Sequence, residues 1–418
     1  MAYQETKTTG YGTRLSNSVR GIGTGFLLLL AGTVLLWWNE GRAVKTAEML
    51  EEAQGVTVHV ENVSQPDPSL DGKLIHATAF TQTADSLCDV TFGIGAVAVR
   101  LEREVQYYQW VEDAKTETRD KIGGGQEEVT TYTYSREWVG SPVNSQEFKD
   151  ADYRQKNFVV MNLEDECYWA ENVTFGAYRL PENLIRSISG EVPMDLDFSE
   201  GQLKQWDRDV RMCFESKAKA EPDSTAVPDN VPDDTADAGY VHVNGNVLYF
   251  GKNPNEPQIG DMSITFTKVL PGEASVIAQV NGDRLQSYVA ENGKTFSALI
   301  SGAASLEEMY RSEHRSNKFL TWLLRLAGLL LVTGGLKGIF GILTTLLKVL
   351  PLLSDIVGLG VGLVCNVLGL VWSLLIVALS WLFYRPVIAA VLLAAIIVLI
   401  VFLVKKGKDK KKTEDTDA

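Results

Sequence analysis

Residues 21–38, GIGTGFLLLLAGTVLLWW, are 18 consecutive positions without a charged side chain. A run of this length can cross the hydrocarbon layer of a membrane as one helix. The other long apolar runs lie between Phe319 and Val404, and about 280 mostly polar residues separate the two regions. We therefore predict an α+β membrane protein in which one N-terminal helix, a large middle domain and a C-terminal helical bundle follow one another.

The first apolar run is predicted to be an uncleaved signal anchor. No small-residue cleavage site precedes Asn39, and Trp37 and Trp38 are typical of the aromatic belt at a membrane surface.

Three further spans are predicted in the C-terminal region, at residues 319–336, 356–384 and 386–404. The short stretch 337–355 contains Lys348 and Pro351, so we predict an amphipathic segment along the cytoplasmic surface. A fifth span there would also place the tail, residues 405–418, on the opposite side from residues 1–20. Four spans are therefore predicted.

Charge is distributed unevenly along the chain. The middle domain, residues 39–318, holds 47 of the 53 acidic residues and 26 of the 39 Lys and Arg, a net charge of about −20. Such a domain repels nucleic acid and anionic lipid. The flanks are basic, with Lys7, Arg14 and Arg20 before the first span and Lys405, Lys406, Lys408, Lys410, Lys411 and Lys412 after the last. The positive-inside rule thus predicts cytoplasmic termini and a non-cytoplasmic domain.

Alternation of apolar and polar residues predicts a mainly antiparallel β domain. Val97–Val111 and Val129–Val139 alternate in this way around Gly123–Gly125, which predicts a long hairpin. Its aromatic face, with Tyr132 and Trp138, is interpreted as cross-strand packing, with a ligand surface as the alternative.

A second hairpin is predicted in Tyr240–Phe250, because Asn244-Gly245 is typical of a tight turn. Strands at Ile259–Leu270 and Ala274–Val280, joined by Pro271-Gly272, are predicted to extend it as a meander.

Helices are predicted on both sides of this domain. Glu40–Glu52 favours a helix that prolongs the first span, and Ser305–Glu308 resembles a capping box that starts a helix towards the second span. Ser216–Ala238 is rich in Pro, Asp and Ala, which predicts a disordered loop.

The sequence contains no recognisable catalytic, nucleotide-binding or metal-binding motif, and its four histidines are widely separated. We therefore predict no enzymatic activity, no cofactor and no metal site. A Cys167–Cys213 disulfide and free thiols both remain open.

Polar and small residues within the spans have two interpretations each. Arg325 is expected to extend to the outer interface, with a functional site as the alternative. The spacings Gly334/Gly338 and Gly358/Gly362 allow close helix packing, either inside the bundle or between copies. Asn366 could form a hydrogen bond to another helix.

Six short blocks occur in a fixed order: NEGRAVKTA at 39–47, YQWVE at 108–112, YTY at 132–134 with EW at 137–138, NP at 253–254 with GD at 260–261, RSN at 315–317 with TW at 321–322, and WLFYRP at 381–386. Together they resemble the transmembrane protein 43 (LUMA) family from the first span to the last. The resemblance implies four spans and a large non-cytoplasmic domain.

For animal members the resemblance also implies the endoplasmic reticulum and inner nuclear membrane, self-association, and a scaffolding role with lamins and emerin. This chain departs from the animal pattern in its acidic Ser216–Ala238 insertion and its lysine-rich tail. These departures favour a bacterial member. A bacterial member would lie in the inner (plasma) membrane and could not have lamins and emerin as partners, whereas a eukaryotic member would lie in the endoplasmic reticulum and inner nuclear membrane.

The leading hypothesis is a self-associating membrane scaffold, and the alternative is an oligomeric channel or transport component. The predicted partners are the lipid bilayer, further copies of the chain and other membrane proteins, without nucleic acid. Asn39–Arg42 is expected to form a turn in which Glu40 pairs with Arg42 or Arg315, with a simple polar flank as the alternative. The candidate interface and assembly residues are Asn39, Glu40, Gly41, Arg42, Arg315, Asn317, Trp322, Arg325, Asn366, Trp381, Tyr384, Arg385 and Pro386.

Overall fold

A computed structural model of the chain describes residues 3–220, 239–347 and 351–384. The helices in these residues are α1 (Tyr11–Val56), α2 (Glu182–Ile185), α3 (Glu200–Ala220), α4 (Leu306–Leu347) and α5 (Pro351–Tyr384). The strands are β1 (Tyr3–Thr9), β2 (Val58–His59), β3 (Leu74–Thr83), β4 (Ser86–Asp89), β5 (Ile94–Val97), β6 (Arg100–Asp120), β7 (Gln126–Val139), β8 (Glu166–Trp169), β9 (Val173–Phe175), β10 (Tyr178–Arg179), β11 (Glu191–Pro193), β12 (Val241–Asn244), β13 (Val247–Phe250), β14 (Met262–Val269), β15 (Glu273–Asn281), β16 (Arg284–Gln286), β17 (Tyr288–Val289), β18 (Thr295–Phe296) and β19 (Ala298–Ser301).

Three helices in the described part of the chain are long and apolar enough to cross a membrane, one N-terminal and two C-terminal. They are α1, α4 and α5, and they contain the spans predicted at residues 21–38, 319–336 and 356–384. The fourth predicted span, residues 386–404, and the basic tail lie outside the described residues, so the count of four stays a prediction.

Helices α1 and α4 connect the apolar region to the domain without a break. α1 runs to Val56, which confirms the predicted extension, and its last turns pack in one hydrophobic cluster with the start of α4. The capping box at α4 is also confirmed, because Ser305 Oγ lies 2.7 Å from Glu308 Oε2 and accepts from the Glu308 N–H at 3.3 Å.

At its other end α4 continues through Lys337 to Leu347 as one helix. Residues 337–347 therefore belong to the same helix as the second predicted span. The cytoplasmic position predicted for 337–355 stays a prediction.

Glycines bring α1 and α4 into close antiparallel contact. A Cβ added at Gly25 would lie 2.6 Å from the Gly335 carbonyl oxygen, and one at Gly32 would lie 3.0 Å from the Gly328 oxygen. Gly338 also faces Gly25 within the same chain, whereas a Cβ at Gly334 would have nothing within 4 Å. Of the predicted pair Gly334/Gly338, Gly338 therefore packs inside this bundle and Gly334 does not.

The domain is built from two large sheets. The first has the order β1-β7-β6-β14-β13-β12, with β8 and β11 paired to β6 and β14, and the second has the order β19-β15-β16-β10-β9-β3-β2. Most pairings are antiparallel, and β2–β3 and β10–β16 are parallel among the described strands. Each sheet contributes to its own hydrophobic cluster.

The hairpins are confirmed, and the meander is confirmed only as far as β14, because β12, β13 and β14 pair antiparallel in chain order and β15 does not join them. β6 pairs with β7 around the predicted glycine tip, and β12 pairs with β13 around Asn244-Gly245. However, β14 pairs with β6 and β13, while β15 pairs with β3, β16 and β19 in the other sheet. Pro271-Gly272 is therefore a crossover between sheets, because both flanking strands already have other neighbours.

Helix α3 was not predicted. It includes residues 216–220, which corrects the expected start of the disordered loop, and residues 221–238 lie outside the described residues. Val210 on this helix is buried beside Phe250 and Phe266 in the cluster of the first sheet. The polar composition of α3 concealed this apolar contact.

The outer half of the β6–β7 hairpin extends away from the cores, and we call the part from Val111 to Ser135 the arm. Its tip reaches the N-terminal end of α1, where Arg14 donates to the Gly124 and Gly125 carbonyls at 3.0 and 3.1 Å. Arg14 also forms an ion pair with Asp120 at 2.7 Å and is buried. β1 adds to β7 as a third strand beside the tip.

This contact was not expected from the sequence, which predicted residues 1–20 and 39–318 on opposite sides of the membrane. The arm spans about 30 Å from Val111 to Asp120, and α1 covers about 40 Å from Arg14 to Glu40. The arm therefore runs along most of the length of the apolar helices. The compartments themselves stay a prediction.

Candidate functional site

A buried polar cluster connects the apolar helices at the point where the domain begins. The sequence folds this way because Asn317, Thr321 and Arg325 lie four residues apart and therefore share one face of α4. Asn39 and Glu40 on α1 face this stripe across the antiparallel contact. We call the cluster the polar junction.

The centre of the polar junction is a bidentate ion pair. Arg325 Nε lies 2.7 Å from Glu40 Oε1, and Nη2 lies 2.8 Å from Oε2. Glu40 also accepts from the indole of Trp381 at 2.7 Å, so α1, α4 and α5 meet at one carboxylate. Glu40 is only 2% exposed, and bidentate guanidinium–carboxylate geometry is the arrangement that best compensates such burial.

This pairing corrects two expectations. Glu40 binds Arg325 rather than Arg42 or Arg315, and Arg325 is paired rather than extended to water. Asn39–Arg42 is also helical, not a turn, because it lies inside α1. Arg315 is exposed on α4, outside the polar junction.

A second set of hydrogen bonds extends the polar junction towards the domain. Asn39 donates to the Thr321 carbonyl at 3.0 Å, and Arg42 donates to Asn317 Oδ1 at 3.0 Å and Thr321 Oγ1 at 2.9 Å. Asn317 in turn donates to the Ala43 carbonyl at 3.0 Å. Thr321 was missed as a site residue, although its four-residue spacing from Asn317 was a signal for it.

Aromatic residues surround the ion pair. The Arg325 guanidinium carbon lies 4.9 Å from the ring centroid of Trp322 and 5.8 Å from that of Trp381, within the range of cation–π attraction. Tyr384 lies against Gly41, where a Cβ would come within 2.6 Å of the ring. Glycine is therefore needed at position 41 for this approach.

Among the described residues, Asn366 is, like Arg315, a predicted site residue that lies outside the polar junction. Asn366 is exposed on α5 and forms no hydrogen bond within the described ranges, so the expected bond to another helix is not observed there. Arg385 and Pro386 lie outside the described residues.

The structure also shows whether the cysteines are paired and where two of the histidines lie. Cys88, Cys167, Cys213 and Cys365 are free thiols. His59 and His76, which the sequence separates, lie side by side with their Nδ1 atoms 3.0 Å apart. Residues 3–220, 239–347 and 351–384 contain no group of three or more metal-ligating side chains.

The fourth block of the resemblance, NP at 253–254 with GD at 260–261, contributes to a buried turn in the domain. Asp261 is 1% exposed, accepts from the hydroxyl of Tyr249 and from the Gln258 N–H, and follows Gly260, whose φ is +98°. Phe158 occupies the space where a Cβ at Gly260 would lie. Burial raises the pKa of Asp261 to about 6 and also raises the pKa of Tyr249.

Apart from Arg325, the residues that form the polar junction lie in the blocks of the resemblance, as do Gly260 and Asp261 of this turn. The family profile described as transmembrane protein 43 matches residues 107–386. The chain belongs to the transmembrane protein 43 family.

Curated members of the transmembrane protein 43 family align with nearly the whole chain. Human transmembrane protein 43 is 30% identical over 97% of this chain and 94% of its own length. The rat protein is 31% identical over 92% and 89%, and the Drosophila melanogaster homolog is 28% identical over 89% and 90%. No solved structure matches the chain. The interpretation as a bacterial member of this family stays a prediction.

Asp261 predicts a pH dependence for this member of the transmembrane protein 43 family. Between pH about 4 and 6 the folded protein keeps a proton on Asp261 that the unfolded chain has released. The contribution of Asp261 to the free energy of unfolding therefore falls as the pH rises through this range, by about 3 kcal/mol in total. We expect Asp261→Asn to remove this decrease.

The measurement is thermal unfolding of the full chain in detergent from pH 4 to 7, as the difference between wild type and Asp261→Asn. Asp283→Asn, at a residue on the exposed β15–β16 turn, is the control and should follow wild type. A difference between wild type and Asp261→Asn that does not change with pH would contradict the prediction.

Proposed function

We propose that this protein is a multi-pass membrane scaffold that self-associates and presents its large domain on the non-cytoplasmic side for protein assembly. The observation that carries the proposal is the polar junction, because one buried carboxylate binds side chains from α4 and α5. Such a connection fixes the orientation of the domain relative to the bilayer, which is what a scaffold requires.

The continuity of α1 and α4 supports the same proposal. Each helix passes from the apolar region into the domain core, where Met49, Leu50, Met309 and Tyr310 are buried in one cluster. A rigid helix that belongs to both the membrane region and the domain fixes the position of the domain relative to the membrane, because no flexible linker separates the two. Self-association then converts single oriented domains into an ordered array.

The test for self-association uses two differently tagged full-length copies expressed together. We expect each tag to recover the other copy from detergent-solubilised membranes, and cross-linking in native membranes to give chain-to-chain links. Mixing membranes after separate expression is the control for association formed during extraction. Recovery of monomer alone would contradict the scaffold proposal.

The predicted orientation is tested separately with reporter fusions at Ala418 and before Met1. We expect both fusions to show reporter activity in the cytoplasmic compartment and none on the other side. Activity of either fusion on the other side would show that the corresponding terminus has been assigned to the wrong side.

A further inference from the structure

The arm is a polar structure at the depth of the apolar helices. Tyr11 of α1 lies against Gly124 at the tip and donates to the Leu346 carbonyl, so the end of α1 that meets the tip also contacts the end of α4. Along its length one face carries charged residues, and the side chains of Lys115, Glu117 and Arg119 are 82%, 56% and 71% exposed. A charged surface of this kind is costly in contact with lipid.

Both edges of the arm are open in the described part of the chain. β6 pairs with β14 only as far as Tyr107, and the same edge then continues to Asp120 without a partner strand. β1 pairs with β7 on one side, and no described strand lies on its other side. Every residue of β1 from Tyr3 to Thr8 is exposed, as are residues 113–119 of β6.

The direction of the free backbone groups on β6 can be read from its paired part. The Tyr108 N–H donates to the Asp261 carbonyl on the β14 side, and alternate residues of a strand point the same way. Thr116 therefore directs its N–H and C=O to the open edge. Unpaired backbone groups and open sheet edges are not stable in the hydrocarbon layer unless protein or water covers them.

We propose that neighbouring copies of this chain cover these edges, with the open edge of β6 in one copy paired to the open edge of β1 in the next. The inference rests on the self-association proposed above and names the surface that carries it. Repeating this contact around an axis normal to the membrane closes the arms into a ring, which leaves no open edge.

The relative directions of the strands favour this pairing over β6 with β6. Copies that share one orientation in a membrane have their arms parallel. β1 and β6 both run antiparallel to β7, so β6 and the neighbour's β1 form an ordinary parallel pair.

A symmetric parallel β6–β6 pair does not satisfy its hydrogen bonds. In a parallel ladder, a residue whose backbone N–H and C=O face the neighbouring strand forms hydrogen bonds with two residues of that strand. These two residues flank the residue directly opposite, so the backbone groups of opposite residues must point in different directions. A two-fold axis along the strands would place identical residues opposite each other. An antiparallel β6–β6 pair would require one copy to be inverted in the membrane.

The test is disulfide formation between separate chains in which the four native cysteines are replaced by serine. Copies with Thr116→Cys are expressed with differently tagged copies that carry Tyr3→Cys, Glu5→Cys or Lys7→Cys in turn. At each of these three positions the backbone groups have the direction that a residue opposite Thr116 requires. Together the three positions allow for a stagger of several residues between the two strands. We expect a disulfide-linked heterodimer for at least one of the three mixtures.

Two controls accompany the mixtures, and elution as one symmetric peak verifies that each variant is folded. Thr116→Cys alone should give no disulfide, and neither should its mixture with Val90→Cys, which is 84% exposed in the domain. A disulfide in Thr116→Cys alone, or none in any β1 mixture, would overturn the edge pairing. Co-purification of the tags in the same samples shows whether self-association itself survives, so the two failures are distinguishable.

Discussion

Replacing Glu40 with alanine should destabilise the protein by about 3–5 kcal/mol, because the Arg325 side chain, only 19% exposed, is then left without its counter-charge. The same change removes the acceptor for the Trp381 indole, so α5 loses a bond to α1. The measurement is the unfolding midpoint of the full chain in detergent, followed by tryptophan fluorescence, since Trp322 and Trp381 flank the ion pair.

A matched control and a rescue variant make this prediction specific. Glu48→Ala removes an exposed carboxylate from the same helix and should change stability by no more than about 0.5 kcal/mol. Glu40→Ala combined with Arg325→Leu removes both charges and should recover a large part of the loss. Equal midpoints for Glu40→Ala and Glu48→Ala would show that the ion pair does not stabilise the fold.

Replacing Gly25 with valine should separate α1 from α4. A Cβ at this position would lie 2.6 Å from the Gly335 carbonyl oxygen and 2.8 Å from the Ile339 nitrogen, both backbone atoms that cannot rotate away. We expect a loss of about 2 kcal/mol or more in stability, because overpacking against backbone is relieved only by moving a helix.

Helix separation can be measured directly at the far end of this contact. Ser18 Oγ and Thr345 Oγ1 lie 2.7 Å apart, so Ser18→Cys with Thr345→Cys should form a disulfide when the other cysteines are absent. Adding Gly25→Val should prevent that disulfide. Adding Gly334→Val should not, since a Cβ there meets nothing within 4 Å. Equal disulfide yields in the two glycine variants would contradict the close approach.

Elements whose signal is local were predictable from the sequence. The hairpins followed from alternation and from glycine or Asn-Gly tips, and the start of α4 followed from its capping box. The second sheet and α3 were not predictable in this way. The partner of β15 on one side is β3, which lies far earlier in the chain, and α3 has a mostly polar composition.

The polar junction illustrates the same limit. Asn39, Glu40 and Arg42 were candidate residues because they lie in a block of the resemblance directly after the first apolar run, where Glu40 was expected to pair with an arginine. The correct partner of Glu40 is 285 positions away on α4, and nothing in the local sequence distinguishes Arg325 from Arg315. The register of α1 against α4, set by glycine contacts along both helices, determines which arginine meets the carboxylate.

The sequence by itself determined that this chain has apolar helices at both ends of an acidic, mainly antiparallel domain, because hydropathy and alternation are local properties. Only the tertiary structure decided that Glu40 pairs with Arg325 and that the arm reaches the N-terminal end of α1. Both contacts join residues more than 100 positions apart. Their formation depends on the packing of whole elements, which no short stretch of sequence encodes.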